Sequence, residues 1–337
     1  MKRLKIIFML VLTAFSISLT AQKQQFKKAD KQYKAQNYAQ AIPHYEAGLA
    51  IKTNLSAKTK LANCYRMINQ MEKAERLYAQ IVRQPKAKTN TYFYYAETLM
   101  SNEKYDEAKY WFEQYHKFHP EKEKGRLMAE ACDRVKDIIP YFPLAEILPF
   151  PQNSEGDDTA PVFFNGGIVF SSDRKMGAKL LKQKSGTTGR DFINIYYSKE
   201  NENFEFSKPK KYSGKLNELN KNTANFSYKA DSTLAVFSRN SKVTNRKNAF
   251  TMQLYQAESS NGKRWKNVRA ISFCRVAYNY MHPALSPDGQ WLFFVSDKPS
   301  GNGGTDLYVS KRKKDGSWSR PQNLGPNINT SNNEGFP

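Results

Sequence analysis

The stretch HPALSPDGQWLFFVSDKPSGNGGTDLYVS, residues 282–310, contains two short apolar runs, each preceded by residues typical of turns. Pro287-Asp288-Gly289 is a tight-turn sequence, because proline fixes φ and glycine tolerates positive φ. The glycine-rich segment 300–304 predicts a longer turn before the second run. We therefore expect antiparallel β-strands over 291–296 and 306–310.

A similar pattern recurs twice upstream. IVFSSD, AVFSRN and FFVSD, at residues 168–173, 235–240 and 293–297, are apolar runs that end in serine and polar residues. Each apolar run is followed by a tyrosine-bearing segment and then by an aromatic residue at the start of a predicted outer strand. The tyrosines lie 59 and 53 residues apart, and so do the aromatics: Tyr196, Tyr255 and Tyr308; Phe206, Trp265 and Trp318. Four strands in a repeat of this size correspond to one β-propeller blade.

The first half repeats differently, every 33 to 34 residues between residues 27 and 120. Small residues recur at two positions of each repeat and an aromatic residue at a third: Ala29, Ala62 and Ala96; Ala41, Ala74 and Ala108; Tyr45, Tyr78 and Phe112. Small residues let paired helices approach, and the rings fill the gap to the next pair. This predicts stacked helical hairpins, closed by a helix over 121–139 with a buried stripe of Leu127, Ala131, Val135 and Ile138.

Residues 1–21 have the layout of a secretory signal peptide. Lys2, Arg3 and Lys5 precede an apolar run, and cleavage is expected after Ala21. A membrane anchor would need about 20 unbroken apolar residues, and this run is shorter and contains serine and threonine. The mature protein is therefore expected to be exported.

The patterns predict a multidomain chain, α then β, in which a helical solenoid precedes a partial β-propeller. After the signal peptide we expect helical repeats at 22–140, a proline-rich linker at 141–160, and three blades with the start of a fourth at 161–337. Pro337 stands 54 residues after Pro283, in the middle of a repeat, and a propeller closes with about four to eight blades. We therefore expect the sequence to be a fragment of a longer protein.

The formal net charge is +22, with positive charge in both halves. Nucleic-acid binding is one interpretation, but an exported protein meets little nucleic acid and the sequence has no basic helix motif. A basic surface that faces anionic lipid, lipopolysaccharide or an acidic partner is favoured instead.

Three cysteines exclude a disulfide scaffold. His116 and His119 lack a third metal ligand at suitable spacing, so no metal and no cofactor are expected.

The helical repeat resembles the tetratricopeptide repeat, and the unit with SPDG resembles the WD-like repeat of TolB-type propellers. With the signal peptide and the linker, this order resembles a family of Bacteroidetes-type periplasmic proteins associated with the outer membrane. Members commonly finish with an OmpA-like domain that binds peptidoglycan, and some belong to the type IX secretion and gliding machinery. That domain is absent from this sequence, so the resemblance implies peptidoglycan binding only for a full-length protein.

The resemblance implies a non-catalytic periplasmic scaffold that binds envelope proteins through a helical groove and the propeller faces. On the tetratricopeptide template the first helix of each hairpin lines the groove, and the residues expected there are Tyr33, Asn63, Arg66 and Glu97. The basic loops 174–190 and 241–248 are either contact points or plain variable loops. The alternative is a glycan-binding or hydrolytic propeller that acts on acidic polysaccharide, although Asp288 is best explained as a turn former.

Overall fold

The computed structural model describes residues 19–138, 148–175, 184–246 and 249–337. The chain divides into two compact units: residues 1–147 with 186–189, and residues 148–185 with 190–337. Most of the expected signal peptide, and residues 141–147 of the expected linker, lie outside the described residues. Within the described ranges, no helix has the length and apolar character needed to cross a membrane.

The described part of the first unit consists of seven helices that pack in chain order. They are α1 (19–34), α2 (Tyr38–Ile51), α3 (Leu55–Met67), α4 (Met71–Val82), α5 (Asn90–Ser101), α6 (Tyr105–Phe118) and α7 (Lys124–Ile138). In the turn of each hairpin one residue has positive φ, namely Gln36 at 60°, Asn69 at 60° and Glu103 at 62°. A residue in this left-handed conformation ends the first helix and directs the chain into the second.

The interior of the helical unit follows the repeat of the sequence. The six repeated alanines and the three repeated aromatic residues are all completely buried. Because alanine carries only a methyl group, two helices approach closely at each alanine, and the aromatic ring fills the space beside it. The prediction of a tetratricopeptide-type solenoid is thus confirmed.

The buried stripe expected on α7 is wrong at Leu127, Ala131 and Val135, and the Ile138 side chain lies outside the described part of the chain. Leu127 is 41% exposed, whereas Ala129 and Cys132 are buried. At Gly125 an added Cβ would lie 2.9 Å from a ring carbon of Tyr115 on α6. α7 therefore packs against α6 through small residues, because the helices lie too close for a larger side chain to enter.

The second unit contains three four-stranded antiparallel sheets, and within each sheet the strands follow chain order. We call these sheets blade 1, blade 2 and blade 3. Blade 1 comprises β1 (Asp158–Phe163), β2 (Gly167–Ser172), β3 (Asn194–Lys199) and β4 (Lys210–Lys211). Blade 2 comprises β5 (Thr223–Tyr228), β6 (Leu234–Asn240), β7 (Met252–Glu258) and β8 (Lys266–Ala270). Blade 3 comprises β9 (Tyr280–Leu285), β10 (Trp291–Ser296), β11 (Asp306–Lys311) and β12 (Gln322–Asn323).

The repeated tyrosines occupy one position in each blade. Each is paired across the sheet with a phenylalanine of the neighbouring strand: Phe170 with Tyr196, Phe237 with Tyr255, and Phe294 with Tyr308. The two rings of each pair stack with centroids 5.9 to 6.1 Å apart. Two of the outer-strand aromatics contact the preceding blade. Trp265 Nε1 donates a hydrogen bond to Tyr212 Oη, just after β4 of blade 1, at 3.0 Å, and Trp318 Nε1 donates one to Gln256 Oε1 of blade 2 at 2.8 Å.

The first strand of each blade is bulged at an equivalent place. There Ala160, Asn225 and His282 have φ values of 49°, 57° and 49°. These residues, together with Phe336 at φ 52°, line one cavity of about 520 Å³. The first strands of the three blades therefore converge on a common axis, which is the arrangement of a partial β-propeller.

Leucine substitutions on α2 test whether the repeated alanines hold the hairpins together. Ala41→Leu should lower the free energy of unfolding by about 1–3 kcal/mol, because Ala41 is completely buried and has no room for a larger side chain. Ala47→Leu on the same helix should change it by less than about 0.5 kcal/mol, because Ala47 is exposed. Urea unfolding followed by far-UV circular dichroism measures both. Equal losses would contradict the packing role of the alanine.

Candidate functional site

The four residues predicted to line the groove contact one another in two pairs. Tyr33 belongs to α1, Asn63 and Arg66 to α3, and Glu97 to α5. Asn63 Nδ2 donates a hydrogen bond to Tyr33 Oη at 3.1 Å, and an Arg66 terminal nitrogen lies 3.2 Å from Glu97 Oε2. Because Asn63 and Arg66 are one helical turn apart, the two pairs form a continuous row. Their role in binding stays a prediction.

Asn63 links this row to the core of the second hairpin. Its Oδ1 accepts a hydrogen bond from the completely buried Tyr78 Oη at 2.5 Å. Burial raises the pKa of Tyr78, and it also raises the pKa of Tyr33 although the contact with Asn63 acts in the opposite direction. Both phenols therefore stay protonated, and the two bonds together fix the orientation of the Asn63 amide.

Arg66 continues the row toward α7. Its guanidinium carbon lies 4.5 Å from the ring centroid of Tyr94, and Glu97 Oε1 lies 4.0 Å from Lys124 Nζ. Lys124 Nζ is also 4.3 Å from the ring centroid of Phe93. Sequence reasoning missed Tyr94 and Lys124. Tyr94 could have been found, because it lies three residues before Glu97 and hence on the same helical face, whereas the repeat gives no register for α7.

We call this set the groove row: Tyr33, Asn63, Arg66, Tyr94, Glu97 and Lys124. It offers hydrogen-bond donors and acceptors, charges of both signs and ring faces to an extended ligand. Among the residues that the structure describes, no group of His, Cys, Asp and Glu side chains could hold a metal ion. Burial raises the pKa of the Cys64 thiol on α3 to about 12, so this thiol is not an activated nucleophile at neutral pH.

The blades share a second feature, a cation that lies over the stacked Phe–Tyr pair. The distance from the cation to the nearer ring centroid is 4.8 Å for Arg174 in blade 1, 4.9 Å for Arg239 in blade 2 and 5.0 Å for Lys298 in blade 3. Such a cation is attracted by the negative face of the ring. Sequence reasoning missed the feature, because Arg174 and Lys298 follow the compared segments by one residue while Arg239 lies within its segment.

Carboxylates of the chain neutralise two of these cations. An Arg174 terminal nitrogen lies 2.8 Å from Asp158 Oδ1, and an Arg239 terminal nitrogen lies 3.0 Å from Glu218 Oε2. Both arginine side chains are more than nine-tenths buried. A buried charge is costly unless it is paired. The first contact therefore stabilises blade 1, and the second fixes the loop before blade 2 against that blade.

The cavity at the axis of the blades has a mostly apolar lining. The His282 ring stacks on Phe336 with centroids 3.9 Å apart, and burial lowers the pKa of His282. The lining residues that the structure describes include prolines, aromatic rings and Asn225 but no carboxylate.

Asp288 acts within its own turn. Its Oδ1 accepts hydrogen bonds from the Ser286 hydroxyl at 2.5 Å and from the Gln290 backbone nitrogen at 3.0 Å. This is the local bonding expected of a turn former. Of the two basic loops, residues 176–183 and 247–248 lie outside the described part of the chain, so the contact role of these loops stays a prediction.

Comparison with known proteins adds little to this picture. No family model matches the sequence, and no curated protein matches it. The type III secretion chaperone SycD of Yersinia enterocolitica, solved with a peptide of the translocator YopD, matches 34% of this chain and 93% of its own length at 19% identity and a TM-score of 0.31.

Two further solved structures are similarly distant. The OM64 TPR domain of Arabidopsis matches 35% of this chain and 98% of its own length, at 15% identity and a TM-score of 0.32. A prolyl endopeptidase matches 51% of this chain but only 29% of its own length, at 12% identity and a TM-score of 0.24. The architecture therefore rests on the packing described above: a tetratricopeptide-type solenoid followed by a partial β-propeller.

Asn63 should contribute to stability through Tyr78. Asn63→Leu removes the acceptor of the hydrogen bond that the buried Tyr78 hydroxyl donates and should lower the free energy of unfolding by about 1–3 kcal/mol. Adding Tyr78→Phe should recover most of this loss, because no buried hydroxyl then lacks a partner. A double-mutant cycle by urea unfolding measures the coupling. Strictly additive losses would show that Asn63 acts in another way.

The pair of Asp158 and Arg174 should make the second unit sensitive to acid. Burial acts to raise the pKa of Asp158, but hydrogen bonds with Ser172, Arg174 and Ser154 outweigh it, and the pKa is lowered. A carboxyl group of this kind stabilises the fold above its unfolded pKa of about 3.9, and the contribution is lost as pH falls through the folded pKa.

The measurement is the thermal midpoint of the second unit, followed by near-UV circular dichroism between about pH 5 and pH 2. The midpoint of the wild type should fall more steeply with acid than that of Asp158→Asn, whatever the offset between the two curves. Parallel curves would contradict the assigned pKa direction.

Proposed function

We propose that this chain is a non-catalytic scaffold, exported to the periplasm and associated with the outer membrane, whose helical groove binds partner proteins. The observation that carries the proposal is the groove row. Its side chains come from four helices, α1, α3, α5 and α7, and remain partly or fully accessible. Because contacts within the row already fix several of these side chains, a ligand would lose little free energy in ordering them.

The charges of the groove favour an acidic segment of the partner. Lys60 Nζ lies 2.7 Å from Asp30 Oδ1, beside the row. Arg66 and Lys124 share one carboxylate, that of Glu97. Three cations thus meet two carboxylates, and the excess positive charge attracts acidic side chains of a ligand and orients them.

The proposed location rests on the amino-terminal sequence and on the family resemblance. Basic residues before an apolar run direct export, and the order of repeats resembles envelope proteins of the secretion and gliding machinery. In a longer form of the protein, an OmpA-like domain would attach the scaffold to peptidoglycan. The partners are then proteins of the outer membrane or of that machinery.

A photo-cross-linking experiment tests the groove. The cross-linking residue p-benzoylphenylalanine replaces Tyr94 of the groove row or, as a control, the exposed Tyr110 on α6. In the native envelope, position 94 should give a discrete adduct with a periplasmic or outer-membrane protein in several-fold greater yield than position 110. Immunoblotting and mass spectrometry of the adduct measure the yield and identify the partner.

Two charge-reversal variants distinguish specific binding in the groove from nonspecific adsorption. Lys124→Glu should reduce the adduct at position 94 several-fold, because it removes one of the two cations that share Glu97. Lys117→Glu on α6 makes the same change of charge at an exposed position and should leave the yield unchanged. Equal adducts at positions 94 and 110, or equal losses in the two charge variants, would overturn the groove as the binding surface.

A further inference from the structure

Blade 3 differs from blades 1 and 2 in the charge around its stacked rings. Lys298 Nζ lies 5.0 Å from the ring centroid of Tyr308, as the arginines of the other blades lie over their own rings. Among the residues that the structure describes, Lys298 forms no ion pair with a carboxylate. The acidic side chains near this loop are otherwise engaged: Asp297 binds Asn279, and Asp306 binds the backbone of residues 302–303.

The difference arises at one position of the loop that joins successive blades. In the loop before blade 2, Asn217 bonds to the backbone of Ile195, and the next residue, Glu218, pairs with Arg239. In the loop before blade 3, Cys274 makes the equivalent contact with the backbone of a β7 residue, and the next residue is Arg275. The two residues also occupy the same sequence position. Glu218 lies seven residues before Asn225, and Arg275 lies seven residues before His282, the positive-φ residues of β5 and β9.

Arg320 adds a third positive charge. It lies two residues after Trp318, which is buried between blades 2 and 3. Burial lowers the pKa of Lys298, and the charges of Arg320 and Arg275 lower it further, because like charges disfavour the ammonium form. Both arginines are exposed. Where blade 2 places a carboxylate, blade 3 therefore presents a group of cations to the solvent.

The Tyr308 hydroxyl supplies a second, independent indication of a ligand. Tyr308 is 1% exposed, and its Oη has no hydrogen-bond partner among the described residues. The hydroxyl points toward the loop that carries Lys298, since a Cβ added to Gly301 would lie 3.4 Å from this oxygen. A buried hydroxyl without a partner is unfavourable, and an acceptor bound beneath Lys298 would satisfy it.

We propose that Lys298, Arg275, Arg320 and the Tyr308 hydroxyl bind the carboxylate of an acidic side chain on a partner protein. This carboxylate takes the place that Glu218 fills in blade 2. An acidic side chain is favoured over a sugar acid because the internal counterpart is itself one glutamate presented on a loop. The assignment of a protein partner rests on the scaffold function proposed above, whereas the site itself rests on blade 3 alone.

Calorimetric titration of the full chain tests the site, with the peptide acetyl-Gly-Glu-Glu-Gly-amide as the probe and its Gln-Gln counterpart as the ligand control. The acidic peptide should bind, and the Gln-Gln peptide should not. Arg275→Glu should weaken binding at least tenfold, because it installs next to Lys298 the carboxylate that blade 2 already has. Lys298→Gln should weaken binding to a similar degree. Lys314→Gln, at an exposed lysine of the same blade, should leave the affinity unchanged.

The variants also separate loss of the site from loss of the fold. Arg275→Glu should keep or raise the thermal midpoint, because it adds an ion pair within the blade. Equal peptide affinity in wild type and Arg275→Glu, or no binding of the acidic peptide, would overturn the proposal. Binding of oligogalacturonate through the same residues, without binding of the acidic peptide, would also overturn the proposal. That result would assign the site to acidic glycans. Cross-linking at position 94 reports on the groove alone, so failure of either proposal is recognised separately.

Discussion

Neither a helical hairpin nor a four-stranded sheet of this chain can bury its apolar surface alone, so every repeat depends on contact with the next one. In the helical unit the alanines let the paired helices approach, and a buried aromatic ring fills the gap to the next pair. Between blades 1 and 2, Phe237 and Tyr255 pack in one buried cluster with Val169 and Ile195. These contacts between repeats therefore hold each unit together without using the groove row or the loops.

This dependence explains which parts of the fold could be predicted from the sequence. A boundary between repeats requires the same kind of residue at a fixed interval, as with Tyr45 and Tyr78 or with Trp265 and Trp318. The closing helix α7 has only one neighbouring hairpin in the stack and repeats nothing. Its buried face consists of small residues such as Gly125, which an apolar periodicity does not detect.

The candidate site could be predicted only in part for a related reason. The template placed Asn63 and Arg66 on the correct helix, because the helices themselves repeat. It could not show that Arg66 reaches Tyr94 or that Lys124 approaches Glu97, since these contacts cross between helices about 30 residues apart in the chain. Contacts of this kind depend on the packing angle of the helices, which no short spacing in the sequence encodes.

The residues with positive φ on the first strand of each blade affect how readily the exposed edge of the sheet pairs with another strand. β1, β5 and β9 are edge strands, and a regular edge strand exposes unpaired amide and carbonyl groups that recruit another strand. A bulge at Ala160, Asn225 or His282 interrupts this row of amide and carbonyl groups and bends the strand. The inner walls of the blades are therefore poor templates for intermolecular β-pairing, which removes one route to aggregation.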